Sequence, residues 1–304
     1  MTDRHPLRGY AMVWTAALLF GVDGTVSKVV LESGITSVEL TQVRSTGAFL
    51  GFAFVLALTA PGRLRVGLRE LGFLVVFGVT GLAFVQWLYF LSIHRLPVGI
   101  ALLIEYLAPL GVALWARYAL HEPVRRRIWA ALALALVGLS LIVELWADST
   151  LDGLGVAAAL AAAVAYAVYI LMAERGVRRR DPISLSCYGF LFAALFWLVV
   201  QPVWEFPFAR VDQEVSLLGR FDGISAPVWL LMLFVVGVGT MATFALIVSA
   251  LRHVSATRVG IVAMLEPVAA AAVAWIWLGE ALGTAQLAGG AIVLAAIVLA
   301  QTAR

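Results

Sequence analysis

Apolar residues run along this chain in blocks of about 20, broken by short clusters of Gly, Pro and Arg, and no block shows the two-residue alternation of a barrel strand. About 20 residues at ~1.5 Å each cross a hydrocarbon core of about 30 Å, and a helix satisfies all its backbone polar groups internally. Ten such spans are predicted, at about 9–30, 38–59, 70–92, 97–119, 127–146, 153–173, 183–204, 227–249, 255–278 and 284–302. The first follows Arg4 and Arg8 and has the flank of a signal peptide. It is about 22 residues long, lacks a convincing small-x-small cleavage site and precedes nine further spans, so it is read as retained. The expected class is an all-α membrane protein with ten transmembrane helices.

Composition supports that class: 63% of 304 residues are apolar and 13% charged, against roughly 45–50% and about 25% in soluble domains. No soluble domain of any size fits beside ten spans. Cys187 is the single cysteine, and His5, His94, His121 and His253 are scattered, which argues against disulfides, a metal site or a bound cofactor. A formal charge of +3 would admit a nucleic-acid partner, but the arginines follow topology instead. With the N-terminus inside, 14 of them fall in inner segments and only Arg95, Arg210 and Arg220 in outer loops. The positive-inside rule then places both termini of this multi-pass chain in the cytoplasm. The expected partners are the lipid bilayer and a small-molecule substrate, with no nucleic acid, and the expected form is a monomer or homodimer.

The chain also repeats itself. At a constant offset of 158, Leu107 falls on Leu265, Pro109 on Pro267, Ala113 on Ala271, Ala116 on Ala274, Leu120 on Leu278 and Glu122 on Glu280. Ala and Leu matches are cheap in this composition, whereas a Pro and a Glu thirteen residues apart in both copies are not. Span 4 thus corresponds to span 9, giving two five-helix repeats, 1–148 and 149–304. Because five is odd, the second repeat enters the membrane from the opposite side, the inverted arrangement of many secondary transporters.

Tyr89-Phe90-Leu91-Ser92-Ile93, then Leu96-Pro97-Val98-Gly99-Ile100-Ala101 with Glu105 and Pro109, resembles the span 3 to span 4 region of the drug/metabolite transporter superfamily with EamA-type repeats. Leu265-Glu266-Pro267 and Leu278-Gly279-Glu280 resemble the matching signature of the second repeat. The local pattern is most similar to threonine/homoserine and other amino-acid exporters. That resemblance implies a secondary transporter of the plasma (inner) membrane with a central cavity lined by spans 1, 3, 4, 6, 8 and 9. It leaves the substrate open, since the superfamily also exports drugs, purines, sugars and pathway intermediates. One departure is His121-Glu122 where the second repeat has Gly279-Glu280, so the turn after span 4 is not expected to copy the turn after span 9.

Ionisable groups in hydrocarbon cost at least about 2.5–3.5 kcal/mol each and need a partner, water or a task. Asp23 and Arg44 both fall about 9 Å below the outer boundary by helix rise. They read either as a buried ion pair or as substrate contacts, and Gly21 and Gly24 allow close approach beside Asp23. Glu105 and Glu266 fall near the midplane. They are not mates under the offset of 158 but lie three positions apart on equivalent helices, hence on one face. They either face the cavity, where protons are the candidate coupling ion, or stay protonated against a neighbouring helix. Pro109 and Pro267 interrupt spans 4 and 9, freeing the carbonyls of Glu105 and Ala263, and serve as kinks or hinges. Trp87, Tyr89, Tyr106, Tyr166 and Tyr169 pack in the core or, beside two acids, suit an organic substrate with a charged amine. Gln86 and His94 are weaker candidates at the outer mouth. Trp14, Trp129, Trp146, Trp204, Trp229 and Trp277 fall near span ends as an interfacial belt.

No G-x-x-x-x-G-K-[ST] motif is present, and the acids lack a neighbouring nucleophile or metal set, so neither an ATP-driven pump nor an intramembrane enzyme is expected. The expectation is a secondary exporter of an amino acid or related metabolite working by alternating access. Multidrug or lipophilic-cation efflux and metabolite uptake are the alternatives.

Overall fold

The computed structural model describes residues 5–93, 95–96, 98–121, 123–143, 152–279 and 283–302. His94, Pro97, Glu122, Trp146, the segment from Asp148 to Leu151 and Glu280 lie outside the described residues. Helices account for nearly all of the rest. In chain order they are α1 (Pro6–Glu32), α2 (Ser37–Thr59), α3 (Leu68–Gly78), α4 (Val85–Ile93), α5 (Val98–Glu105), α6 (Ala108–Tyr118), α7 (Arg126–Ile142), α8 (Gly153–Val177), α9 (Pro182–Val200), α10 (Val228–Phe234), α11 (Thr243–Ala250), α12 (Ala256–Ala263), α13 (Leu265–Val273) and α14 (Thr284–Thr302). Three π-helical stretches join or extend them: π1 (Val79–Phe84) between α3 and α4, π2 (Val235–Ala242) between α10 and α11, and π3 (Ala274–Leu278) after α13. Among the described residues nine helical stretches are long and apolar enough to cross a membrane. The helix of the predicted fifth span, α7, has 17 residues.

Local chemistry sets the ends. Thr36 and Glu39 form a reciprocal capping box on α2, Asp152 accepts from Gly155 N to cap α8, and Asp181 accepts from Ile183 N and Ser184 N to cap α9. Spans 4 and 9 break where proline removes an amide donor: α5 stops at Glu105 before Pro109, and α12 stops at Ala263 before Pro267. Both breaks tighten into a three-residue turn, Leu107 N to Ile104 O at 3.0 Å and Met264 N to Ile261 O at 3.2 Å.

Contacts recur in the two halves. A methyl group on Gly9 would run into Val254 and His253, and one on Gly155 would meet Leu96 and Arg95 at 2.8 and 2.9 Å. Gly21 abuts Ala269, and Gly111 abuts Ala167. Asp23 fills the space beside Gly239 in π2, and Tyr169 fills the space beside Gly81 in π1. Each pair maps onto the other when α1 is shifted 146 residues onto α8 and spans 3 and 4 are shifted 158 onto their counterparts. The α7–α14 contact maps onto itself, Gly138 against Gly289 and Val293, Gly289 against Gly138 and Ile142. The last described residues of the two spans share one backbone feature. His121 adopts the left-handed backbone of Gly279, with φ of 55° against 75°.

Between α9 and α10 no element is predicted from the residue pattern. There the chain forms a small cap with antiparallel strands β1 (Glu214–Ser216) and β2 (Ser225–Pro227). Trp277 Nε1 donates to Leu217 O at 2.7 Å, Phe221 packs edge-on against the Trp277 ring at 5.7 Å, and the Arg210 guanidinium donates to the Gly34 carbonyl. Trp277 is therefore pinned by protein.

Candidate functional site

The ionisable groups assigned to mid-depth come together inside the bundle. Arg44 Nη2 lies 3.0 Å from Asp23 Oδ2, joining α2 to α1. Arg44 Nε also donates to Thr240 Oγ1 at 3.1 Å, and the Thr240 hydroxyl donates to Val235 O at 2.8 Å. That carbonyl lies five residues back, within π2. Asp23 is 3% exposed, and its Oδ1 is buried without a hydrogen-bond partner.

Glu105 ends α5, and Glu266 lies in the first turn of α13 beyond the break in span 9, where the helix N-terminus favours a negative charge. The two carboxyl groups interact electrostatically with each other, and Glu266 interacts with both Asp23 and Arg44. The Tyr106 hydroxyl donates to the Glu266 carboxylate. Tyr89 faces both acids, and Tyr166 interacts with them and with Tyr169. Glu105, Glu266, Tyr89 and Tyr166 are half-buried.

Tyr169 belongs more to packing than to the open part of this group. It is 3% exposed and stacks on Phe77 at 5.4 Å and on Tyr166 at 6.2 Å, with its hydroxyl buried and unpaired. Trp87 is not brought to the acids: it is 46% exposed and its ring contact is Phe84 at 6.0 Å. Two residues on a helix are turned by about 200°, so Trp87 cannot share the face of Tyr89. Gln86, three residues before Tyr89, does share it, and its Oε1 is buried without a partner.

Pro109 packs against Gly260, so spans 4 and 9 meet beside their breaks. Thr240 and Gly239 are site residues that the sequence reading missed. Their only signal is a hydroxyl inside the apolar run Gly237-Val238-Gly239-Thr240, with Gly239 on Gly81 at the offset of 158. Among the described residues no group of His, Cys, Asp and Glu could hold a metal ion.

Fold and site define a multi-pass helical membrane protein with an ionic, tyrosine-lined group in its interior. The chain belongs to the EamA-like transporter family, whose model matches twice, over residues 7–144 and 153–302. The threonine/homoserine exporter RhtA of Escherichia coli is 29% identical over 272 residues, covering 87% of this chain and 80% of that protein. An uncharacterized transporter of Archaeoglobus fulgidus is 27% identical over 306 residues, covering 95% and 99%. A solved structure titled "Crystal structure of protein" matches with a TM-score of 0.77 over 96% of each chain at 18% identity, a likeness of fold alone.

Proposed function

We propose that the chain exports a small metabolite, an amino acid or related compound, across the inner membrane by alternating access. In this reading ten spans form two inverted five-helix repeats, 1–148 and 149–304, with both termini in the cytoplasm. The observation that carries it is the half-buried acidic pair Glu105 and Glu266, edged by tyrosines and lying within electrostatic reach of Arg44. A merely structural bundle gains nothing from two acids at mid-depth, because each is expensive to insert. An ammonium group suits the acids and a carboxylate suits the guanidinium, and the exporter among the relatives acts on amino acids that carry both. The repeated helix contacts and paired breaks support the two-repeat architecture. Two halves of similar packing and opposite orientation give an outward-open state and an inward-open counterpart of comparable energy. The breaks before Pro109 and Pro267 are the hinges of that exchange.

The test is counterflow in proteoliposomes preloaded with each of the common amino acids in turn, driven with and without a proton gradient. Saturable exchange of a subset is expected. Exchange of none, by protein that is folded and inserted, would overturn the reading.

A further inference from the structure

Arg44, which lies within electrostatic reach of Glu266, is paired with Asp23, and the way it is held is unlike a sealed structural ion pair. Asp23 is not its sole anchor. Arg44 Nε is fixed by Thr240, whose hydroxyl spends its single proton on Val235 O and so must present a lone pair to the guanidinium. The carboxylate, by contrast, meets the guanidinium through one close contact, Oδ2 to Nη2 at 3.0 Å, and leaves Oδ1 buried and unpaired. Buried carboxylates held for structure normally satisfy both oxygens, often by a two-pronged pairing with arginine. Access is also unequal: the Arg44 side chain is 19% exposed and that of Asp23 is 4%. Asp23 sits in a recess that exists only because residue 239 is glycine, since a methyl group there would overlap its carboxylate.

The matching crossing in the other half is packed without an acid. There Tyr169 stands against Gly81 and is held by stacking on Phe77, and the position matching Thr240 is Leu82. The acid and the arginine anchor are therefore peculiar to the α1–π2 crossing.

We propose that Asp23 is a built-in occupant of a carboxylate-binding site on Arg44: in the empty transporter its side chain holds the guanidinium, and the carboxylate of the substrate takes its place. This rests on the transport reading above and assigns its substrate class, a small zwitterion whose carboxylate binds Arg44 and whose ammonium group binds Glu105 and Glu266. A free carboxylate can use both Nη groups, where Asp23 uses one. The displaced Asp23 finds a donor one turn along α1 in Ser27, whose hydroxyl is buried and without a partner. On release of the substrate Asp23 returns to Arg44, so the cation is never left bare in the apolar interior.

The experiment measures binding of L-threonine and of 1-aminopropan-2-ol, which lacks the carboxylate, to purified full-length protein. Asp23→Asn should raise L-threonine affinity about tenfold, as for a site that its own occupant leaves free in about a tenth of molecules. Affinity for 1-aminopropan-2-ol should not rise, because the uncompensated Arg44 opposes a cation that brings no carboxylate. Arg44→Gln should lower L-threonine affinity to that of the amine. Gly239→Ala keeps the Asp23 charge but crowds it from its recess, and should shift L-threonine in the same direction as Asp23→Asn, which covers the case of a poorly folded Asn variant. Unchanged or weakened L-threonine binding in folded Asp23→Asn or Gly239→Ala protein, or equal shifts for both ligands, would overturn the proposal while leaving export intact. If wild-type protein binds none of the common amino acids or their decarboxylated amines, the export reading falls as well.

Discussion

Replacing Arg180 by Ala removes the side chain that ties the α2–α3 connection to the start of α9. Arg180 is 12% exposed and donates to Ser184 Oγ at 2.8 Å, Glu70 Oε2 at 2.6 Å, Arg63 O at 2.8 Å and Arg65 O at 3.0 Å. Its guanidinium also lies 4.9 Å from the centre of the Tyr188 ring. A hydrogen bond from a charged donor contributes roughly 1.5 kcal/mol at the low end, which applies here because the carbonyls of the exposed residues Arg63 and Arg65 regain water when Arg180 is lost. Two such bonds give about 3 kcal/mol. Glu70 is half-exposed and adds at most about 0.5 kcal/mol, with a similar amount from the tyrosine face. Water recovered by the carbonyls offsets these additions, so the expected loss is about 3 kcal/mol, or about a hundredfold in the opening equilibrium. The single cysteine supplies the assay. Cys187 lies two turns into α9 and is 1% exposed, so its reaction with a thiol reagent in detergent reports opening of this region. Arg180→Ala should speed labelling about a hundredfold, and Arg180→Lys should recover only part of that, because an ammonium cannot reach both carbonyls and Glu70 together. An effect below threefold, or complete rescue by Lys, would refute the reasoning.

Glu105→Gln and Glu266→Gln keep shape but remove titration, so each should flatten the pH profile of transport. If both variants insert normally and retain full, pH-dependent transport, proton coupling through these acids is wrong. Pro109→Ala and Pro267→Ala restore an amide donor at each break and should slow turnover while substrate still binds, checked by parallel binding and counterflow; unchanged turnover in both removes the hinge role. With Cys187 replaced, a cysteine at Ser149 should react with an impermeant reagent on intact cells and one at Arg179 should not. The reverse pattern would invert the topology.

Most of the helical frame was legible because a lipid environment narrows the choices. A run of about 20 apolar residues must be helical if its backbone groups are to be paired, and proline must break it where its amide is missing. Depth arithmetic also brought Asp23 to Arg44, since two charges at one depth on neighbouring spans have each other as the cheapest partner. The π-helical stretches were illegible: Val79–Phe84 and Val235–Ala242 use the same apolar residues as their neighbours, and only the helices packed on them distinguish an extra residue per turn. The cap between α9 and α10 depends on Trp277, which is 60 residues from Leu217, and no local pattern encodes such a contact. A single offset caught only part of the repeat. Spans 4 and 9 register at 158 and α1 registers on α8 at 146, so connections of unequal length hide the second match from any gapless comparison.

What the two halves share and what they do not divide along a physical line. The shared features are crossings and breaks: Gly9 with Gly155, Gly81 with Gly239, the turns before Pro109 and Pro267, and the left-handed residues His121 and Gly279. The polar residues of the site are single-copy. Asp23 matches Tyr169, Thr240 matches Leu82, Glu105 matches Ala263 and Glu266 matches Ala108. A device that must reach two states of similar energy benefits from duplicated packing, because a contact formed in one half has a model in the other. Duplicated chemistry would instead set six acids and two guanidinium groups in one apolar interior, each needing a partner, while offering one substrate two competing poses. In the proposed reading, placing the acids in unmatched positions of matched helices gives the site a single polarity, with a cationic end at Arg44 and an anionic end at Glu105 and Glu266, which is the polarity that a zwitterionic substrate requires.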